Sequence, residues 1–158
     1  MNIKGPTKKN LHYKVEMIHS LAYFIPTSLQ CKLNFYTMKK TAIIILSDPK
    51  SGSEEALGRV FNALASAYEF KHAGEDVKII FQGTGIRWPE QLEKADHPVH
   101  GLYNEVKDYV HGLSKGCVAV FGTEISGYEL LNENEVPGTP GLPSFLNLRN
   151  EGYDILIF

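Results

Sequence analysis

From residue 41 onward, apolar and polar positions alternate in blocks. Residues 41–47 (TAIIILS) form an unbroken, Ile-rich run, the pattern of a strand buried on both faces. A polar, turn-rich stretch follows at 47–53 (SDPKSGS). Ser51 and Glu54 have capping-box spacing, which starts a helix. Leu57, Val60, Phe61, Leu64 and Tyr68 give that helix one apolar stripe, and Gly74 suits a left-handed cap at its end. Residues 77–81 (VKIIF) predict a second strand, with a loop at 82–88 (QGTGIRW). Helices are predicted at 89–95 and at 102–113, the latter on the stripe Leu102, Val106, Val110 and Leu113. The run 117–121 (CVAVF) reads as part of a third strand over 116–121. A helix at 124–132, a Pro- and Gly-rich loop at 136–141, a short helix at 143–151 and a strand at 153–158 (YDILIF) complete the pattern.

Strands alternating with helices predict an α/β fold: a three-layer sandwich with a mostly parallel sheet of four to five strands and helices on both faces. In such sheets ligands sit beyond the carboxyl ends of the strands. That rule selects loop 47–53, loop 82–88 and whatever follows the third strand.

Composition agrees. Of 158 residues, 43% are hydrophobic and 22% charged, a globular balance. The length suits one domain. The pattern changes at Met38, so residues 1–37 are predicted to be an N-terminal extension, either a poorly ordered tail or an upstream read-through, and 38–158 the α/β domain. Charge divides the same way. Residues 1–37 hold five Lys and one acid, whereas 38–158 carry eleven Lys or Arg against seventeen acids. An acidic body repels phosphate backbones, so no nucleic-acid partner is expected. No run of 18 apolar residues exists to span a bilayer, so no membrane association is expected. The apolar stretch 18–29 follows a basic start, but no small-x-small cleavage site comes after it. Two cysteines, Cys31 and Cys117, do not form a disulfide framework and suit the reducing cytoplasm.

The candidate chemistry lies in the three selected segments. Ser47 and Ser51 precede a helix N-terminus, where free N–H groups accept an anion or simply a cap. No P-loop pattern is present. Gly83-Thr84-Gly85 follows the second strand, and Trp88 occupies the position of a third glycine, which excludes a dinucleotide fingerprint. No cofactor is therefore expected. Gly83, Thr84, Gly85, Arg87 and Trp88 make a candidate ligand or partner site; alternatively, Trp88 anchors the loop and Arg87 forms an ion pair. His97 and His100 flank Pro98, which breaks any helix aligning them, so no metal site is expected. Cys117 is the candidate nucleophile, or else a buried structural thiol.

The Ile-rich first strand, the Gly-Thr-Gly-Ile-Arg-Trp loop, the Asp96-His97-Pro98 turn, the Cys-Val-Ala-Val-Phe-Gly run and the terminal Glu-Gly-Tyr-Asp-Ile-Leu-Ile-Phe together resemble the DsrE family over residues 39–158. The resemblance implies a small α/β protein assembled as a homo-oligomer, a trimer or hexamer. It also implies a persulfide carried on one cysteine and a protein partner in a sulfur relay. One alignment puts Cys117 at the active position, with Ser114 in place of the first cysteine of a C-x-x-C motif. A second puts Gly122 there and leaves no thiol. A strand over 116–121, which the apolar pattern favours, would set Cys117 at its amino end, away from the site edge, whereas a strand ending near 117 would set the thiol at that edge. Two functions follow as expectations: a sulfur carrier or relay accessory, and a non-catalytic small-molecule or partner-binding module of the same fold.

Overall fold

The computed structural model describes residues 38–122 and 126–158. The predicted extension at 1–37, Cys31 and the first residues of the helix predicted at 124–132 lie outside them. Met38–Phe158 is one compact unit.

The Ile-rich run becomes strand β1, Lys40–Ile45, whose last five residues are buried. A 3-10 turn, Pro49–Ser51, leads to helix α1, Glu54–His72. The cap is Ser53, two residues after the position predicted. Its Oγ accepts the Ala56 N–H at 3.1 Å, while Ser51 shares a hydroxyl bond with Ser53 at 3.1 Å. The turn uses Ser51 as its own last residue, so the helix begins later. α1 closes in a Schellman arrangement, with Glu75 N–H bonded to Phe70 O and Gly74 N–H to Lys71 O.

α1 buries Ala56, Val60, Ala63, Leu64 and Ala67. That differs from the predicted stripe. Phe61 is 48% and Tyr68 38% exposed, because the helix settles on its alanines, which let it approach the sheet closely, and the aromatics fall on its outer shoulder.

Strand β2, Asp76–Phe81, pairs in parallel with β1, Lys40 opposite Asp76 through Ile45 opposite Phe81. A 3-10 turn, Gly83–Arg87, runs into helix α2, Trp88–Leu92, and helix α3, His100–Val106, follows. Here the predicted helix at 102–113 is overturned. α3 stops at Val106, and Val110–Ser114 is strand β3. The predicted strand at 116–121 is overturned too: Lys115–Phe121 is helix α4. Ser114 decides this locally, its Oγ accepting the Cys117 N–H at 3.4 Å as an N-cap. Within β3, a Cβ at Gly112 would stand 2.6 Å from Glu129 O, so only glycine lets the next strand lie this close. That strand is β4, Leu130–Leu131, where a helix was expected. Helix α5, Phe145–Asn150, and strand β5, Asp154–Ile157, complete the domain.

The sheet has the order β4-β3-β2-β1-β5, and every pairing is parallel. Alternate residues of the central strands feed two cores. Ile43, Ile45, Ile79 and Phe81 pack with α1, α2, α3 and Cys117 on one face. Ala42, Ile44 and Ile80 pack with Leu148 of α5 and with Tyr153 on the other. The predicted three-layer α/β architecture is therefore present. Among the described residues no helix is long and apolar enough to cross a membrane.

Leu148 is the buried residue of the one short helix within the second core. Leu148→Ala is expected to cost about 2–5 kcal/mol, measured as a lowered urea midpoint at unchanged slope.

Candidate functional site

The carboxyl ends of β1, β2 and β3 carry three segments that lace together. Beyond β1, the Ser47 carbonyl and Oγ accept the Trp88 indole N–H at 2.8 and 3.2 Å. The Asp48 carboxylate accepts Lys50 N–H at 2.9 Å and takes the Arg87 guanidinium at 3.1 and 3.3 Å. Beyond β2, Thr84 Oγ1 donates to Leu46 O at 3.3 Å. Arg87 also donates to Phe121 O at the end of α4, at 3.1 Å, with its guanidinium 5.8 Å from the Phe121 ring centre. The Arg87 side chain thus ties the loops after β1 and β2 to α4.

Gly85 makes this lacing possible. A Cβ there would fall on the Ile45 carbonyl, so the 83–87 turn lies directly against the end of β1. The turn in this position aims the Gly83 N–H at Cys117 Sγ, 3.1 Å away. Cys117 is the third residue of α4, just beyond the carboxyl end of β3. The expected placement at the amino end of a strand is therefore corrected: the thiol lies at the sheet edge where the two glycines turn. It is also enclosed, with 8% of the residue exposed.

The sequence-selected residues divide into two groups. Gly83 reaches Cys117 and Arg87 reaches the end of α4, while Gly85 lies against the end of β1. Ser47 and Trp88 form the lacing, and Trp88 is only 3% exposed, so it anchors the loop while one edge walls a cleft. Thr84 is bonded to the β1 end, and Ser51 is exposed on the 3-10 turn. The cleft beside Trp88 has a volume of about 340 Å³ and is also lined by Pro49, Ser53, Gln91, His97 and Pro98. A neighbouring cleft of about 310 Å³ opens at the ends of β1 and β5, between Ser47, Asp48, Arg59 and Ile157.

Asp48, Ser53 and Ser114 were not selected from sequence, although Asp48-Pro49 carries the signal of a side-chain cap before a proline. His97 and His100 serve the backbone: His97 Nδ1 accepts Val99 N–H at 3.3 Å, and His100 Nδ1 sits 2.7 Å from Leu92 O. Among the described residues no group of three or more His, Cys, Asp or Glu could hold a metal ion. Burial is the main influence on His97 and holds its imidazolium below the ordinary range, with the Asp96 carboxylate opposing.

No family model matches the chain, and no solved structure matches it. The uncharacterized protein MJ0733 of Methanocaldococcus jannaschii is 32% identical over 100 residues, which is 61% of this chain and 78% of that protein.

Gly85→Ala is expected to destabilise the protein by about 3 kcal/mol in urea unfolding, because the turn must lift off the β1 carbonyl. His97 supplies a pH dependence. The fold favours its neutral ring, so this contribution to stability is complete above the unfolded value of about 6.5. It is lost as pH falls from there through the lower native value. Urea midpoints at about pH 7.5 and about pH 5.5 should differ less in His97→Gln than in the parent.

Proposed function

We propose that this chain, which belongs to the same family as the protein MJ0733 of Methanocaldococcus jannaschii, is a DsrE-like sulfur carrier with Cys117 as the carrying residue. One observation carries this reading. The Cys117 sulfur stands at the carboxyl edge of a parallel sheet, where ligands of such folds sit, and a glycine N–H is directed at it from 3.1 Å.

In the transfer step, the Cys117 thiolate attacks the outer sulfur of a donor's cysteine persulfide. The donor's S–S bond breaks, and the donor leaves as its thiolate. Cys117 now holds the persulfide, and no net oxidation has occurred. The Gly83 N–H offers a hydrogen bond to the sulfur anion. Ser114 stands where a C-x-x-C motif would have its first cysteine, and its hydroxyl cannot close a disulfide with Cys117. The sulfur is therefore handed to an external acceptor, a protein partner in a relay. This chemistry suits a reducing compartment such as the cytoplasm and a homo-oligomeric protein of this family type.

A second reading rests on the clefts of about 340 and 310 Å³ at the start of α1: a binding module for a small molecule, with no sulfur transfer. The two readings separate in one experiment. The protein is treated with a small-molecule persulfide donor, and the added sulfur mass is located by peptide mass spectrometry. The carrier reading expects the mass at Cys117, well above Cys31. Equal labelling of the two cysteines, or none, overturns it.

A further inference from the structure

The outward side of α1 carries a seam that no other described element covers, its Tyr68 and His72 rings stacked on each other at 4.1 Å. Glu54, Gly58, Phe61, Ala65, Tyr68 and His72 recur at alternating spacings of four and three, the spacing of a helix-pairing seam. None of them belongs to the buried set of α1. Phe61 and Tyr68 are largely exposed, and Glu54 and His72 are exposed at the helix ends. Single exposed apolar residues are ordinary on a protein surface. Two aromatics in register with two small residues and two end charges are a pattern.

We propose that this seam pairs with the same seam of a second copy of the chain, antiparallel, about a two-fold axis at the level of Ala63. The sequence is self-complementary in that arrangement. Tyr68 of one copy meets Gly58 of the other, Phe61 meets Ala65, and Glu54 meets His72. Each large side chain faces a small one, and each acid faces an imidazole. A two-fold interface demands this reciprocity, since residue i must fit residue j while j fits i. The ends agree as well: Glu54, exposed in the acidic first turn, lies against His72, exposed in the basic last turn, of the partner.

Gly58 provides a separate argument. Glycine in a helix interior is costly, and the described residues supply no steric reason for it here, because a Cβ at that position would meet nothing among them within 4 Å. The space above Gly58 is the hole that an opposing Tyr68 fills. The pairing is independent of the sulfur-carrier reading and does not use Cys117.

The test is sedimentation equilibrium on the full chain and three variants. The parent is expected at an even multiple of the 17.7 kDa protomer. Gly58→Met fills the hole with a better helix former, and Phe61→Glu charges the centre of the seam. Each should halve the assembled mass while circular dichroism stays helical and the melt remains cooperative. Val120→Glu, at an exposed site on α4 away from the seam, should leave the mass unchanged. A monomeric or odd-numbered parent overturns the proposal. So does a parent mass that survives both seam variants, or one that falls in Val120→Glu instead.

Discussion

The seating of the 83–87 turn on the end of β1 governs the working edge of this domain. The Ile45 carbonyl leaves room at residue 85 for a hydrogen and nothing larger. Once the turn is down, three polar contacts fix it there: the Trp88 indole on Ser47, the Arg87 guanidinium on Asp48, and the Thr84 hydroxyl on Leu46. The Trp88 indole N–H, which burial would otherwise strand at a cost, is satisfied in this way. The Gly83 amide then has one direction available, toward the Cys117 sulfur. A glycine with no contact to the thiol thus sets the environment of the thiol.

Arg87 extends the same logic across the edge. Its guanidinium bridges the Asp48 carboxylate and the last turn of α4, so α4 is referenced to both neighbouring loops. The pair is well shielded from solvent, and losing one partner would leave a charge poorly compensated. The helix that bears Cys117 is short, and this cross-tie together with the Ser114 cap holds it at both ends.

Much of the fold was legible in the sequence, and the misreadings have physical causes. β1, β2 and β5 are apolar runs bounded by turn residues, and nothing competes with that signal. α1 was legible in extent, and Val60 and Leu64 of its stripe are buried, but Phe61 and Tyr68 were assigned inward where the sheet takes alanines instead. The segment 102–121 was misread twice. Val110 and Leu113 continue, at spacings of four and three, the helical stripe of Leu102 and Val106, although they belong to a strand. Val118, Val120 and Phe121 have strand propensity, but the Ser114 cap opens a helix there, on which Val120 and Phe121 lie exposed. Propensity yielded to tertiary context there. The candidate residues around the glycine turn were legible because loops beyond parallel strands follow from topology alone. The side of the sheet on which Cys117 lies was not, because it depended on the misread boundary.

The strand order has a consequence for how the chain reaches this state. β1 is flanked by β2, close in sequence, and by β5, whose Asp154 stands opposite Thr41. The β1–α1–β2 crossover can form early, yet the other flank of β1 stays open until the far end of the domain arrives. Closing so distant a parallel pair spends loop entropy before any contact rewards it. Meanwhile a row of unpaired amides and carbonyls along an Ile-rich strand is a template for the wrong neighbour. Arrival of β5 is thus the step on which self-association during folding and completion of the native sheet compete.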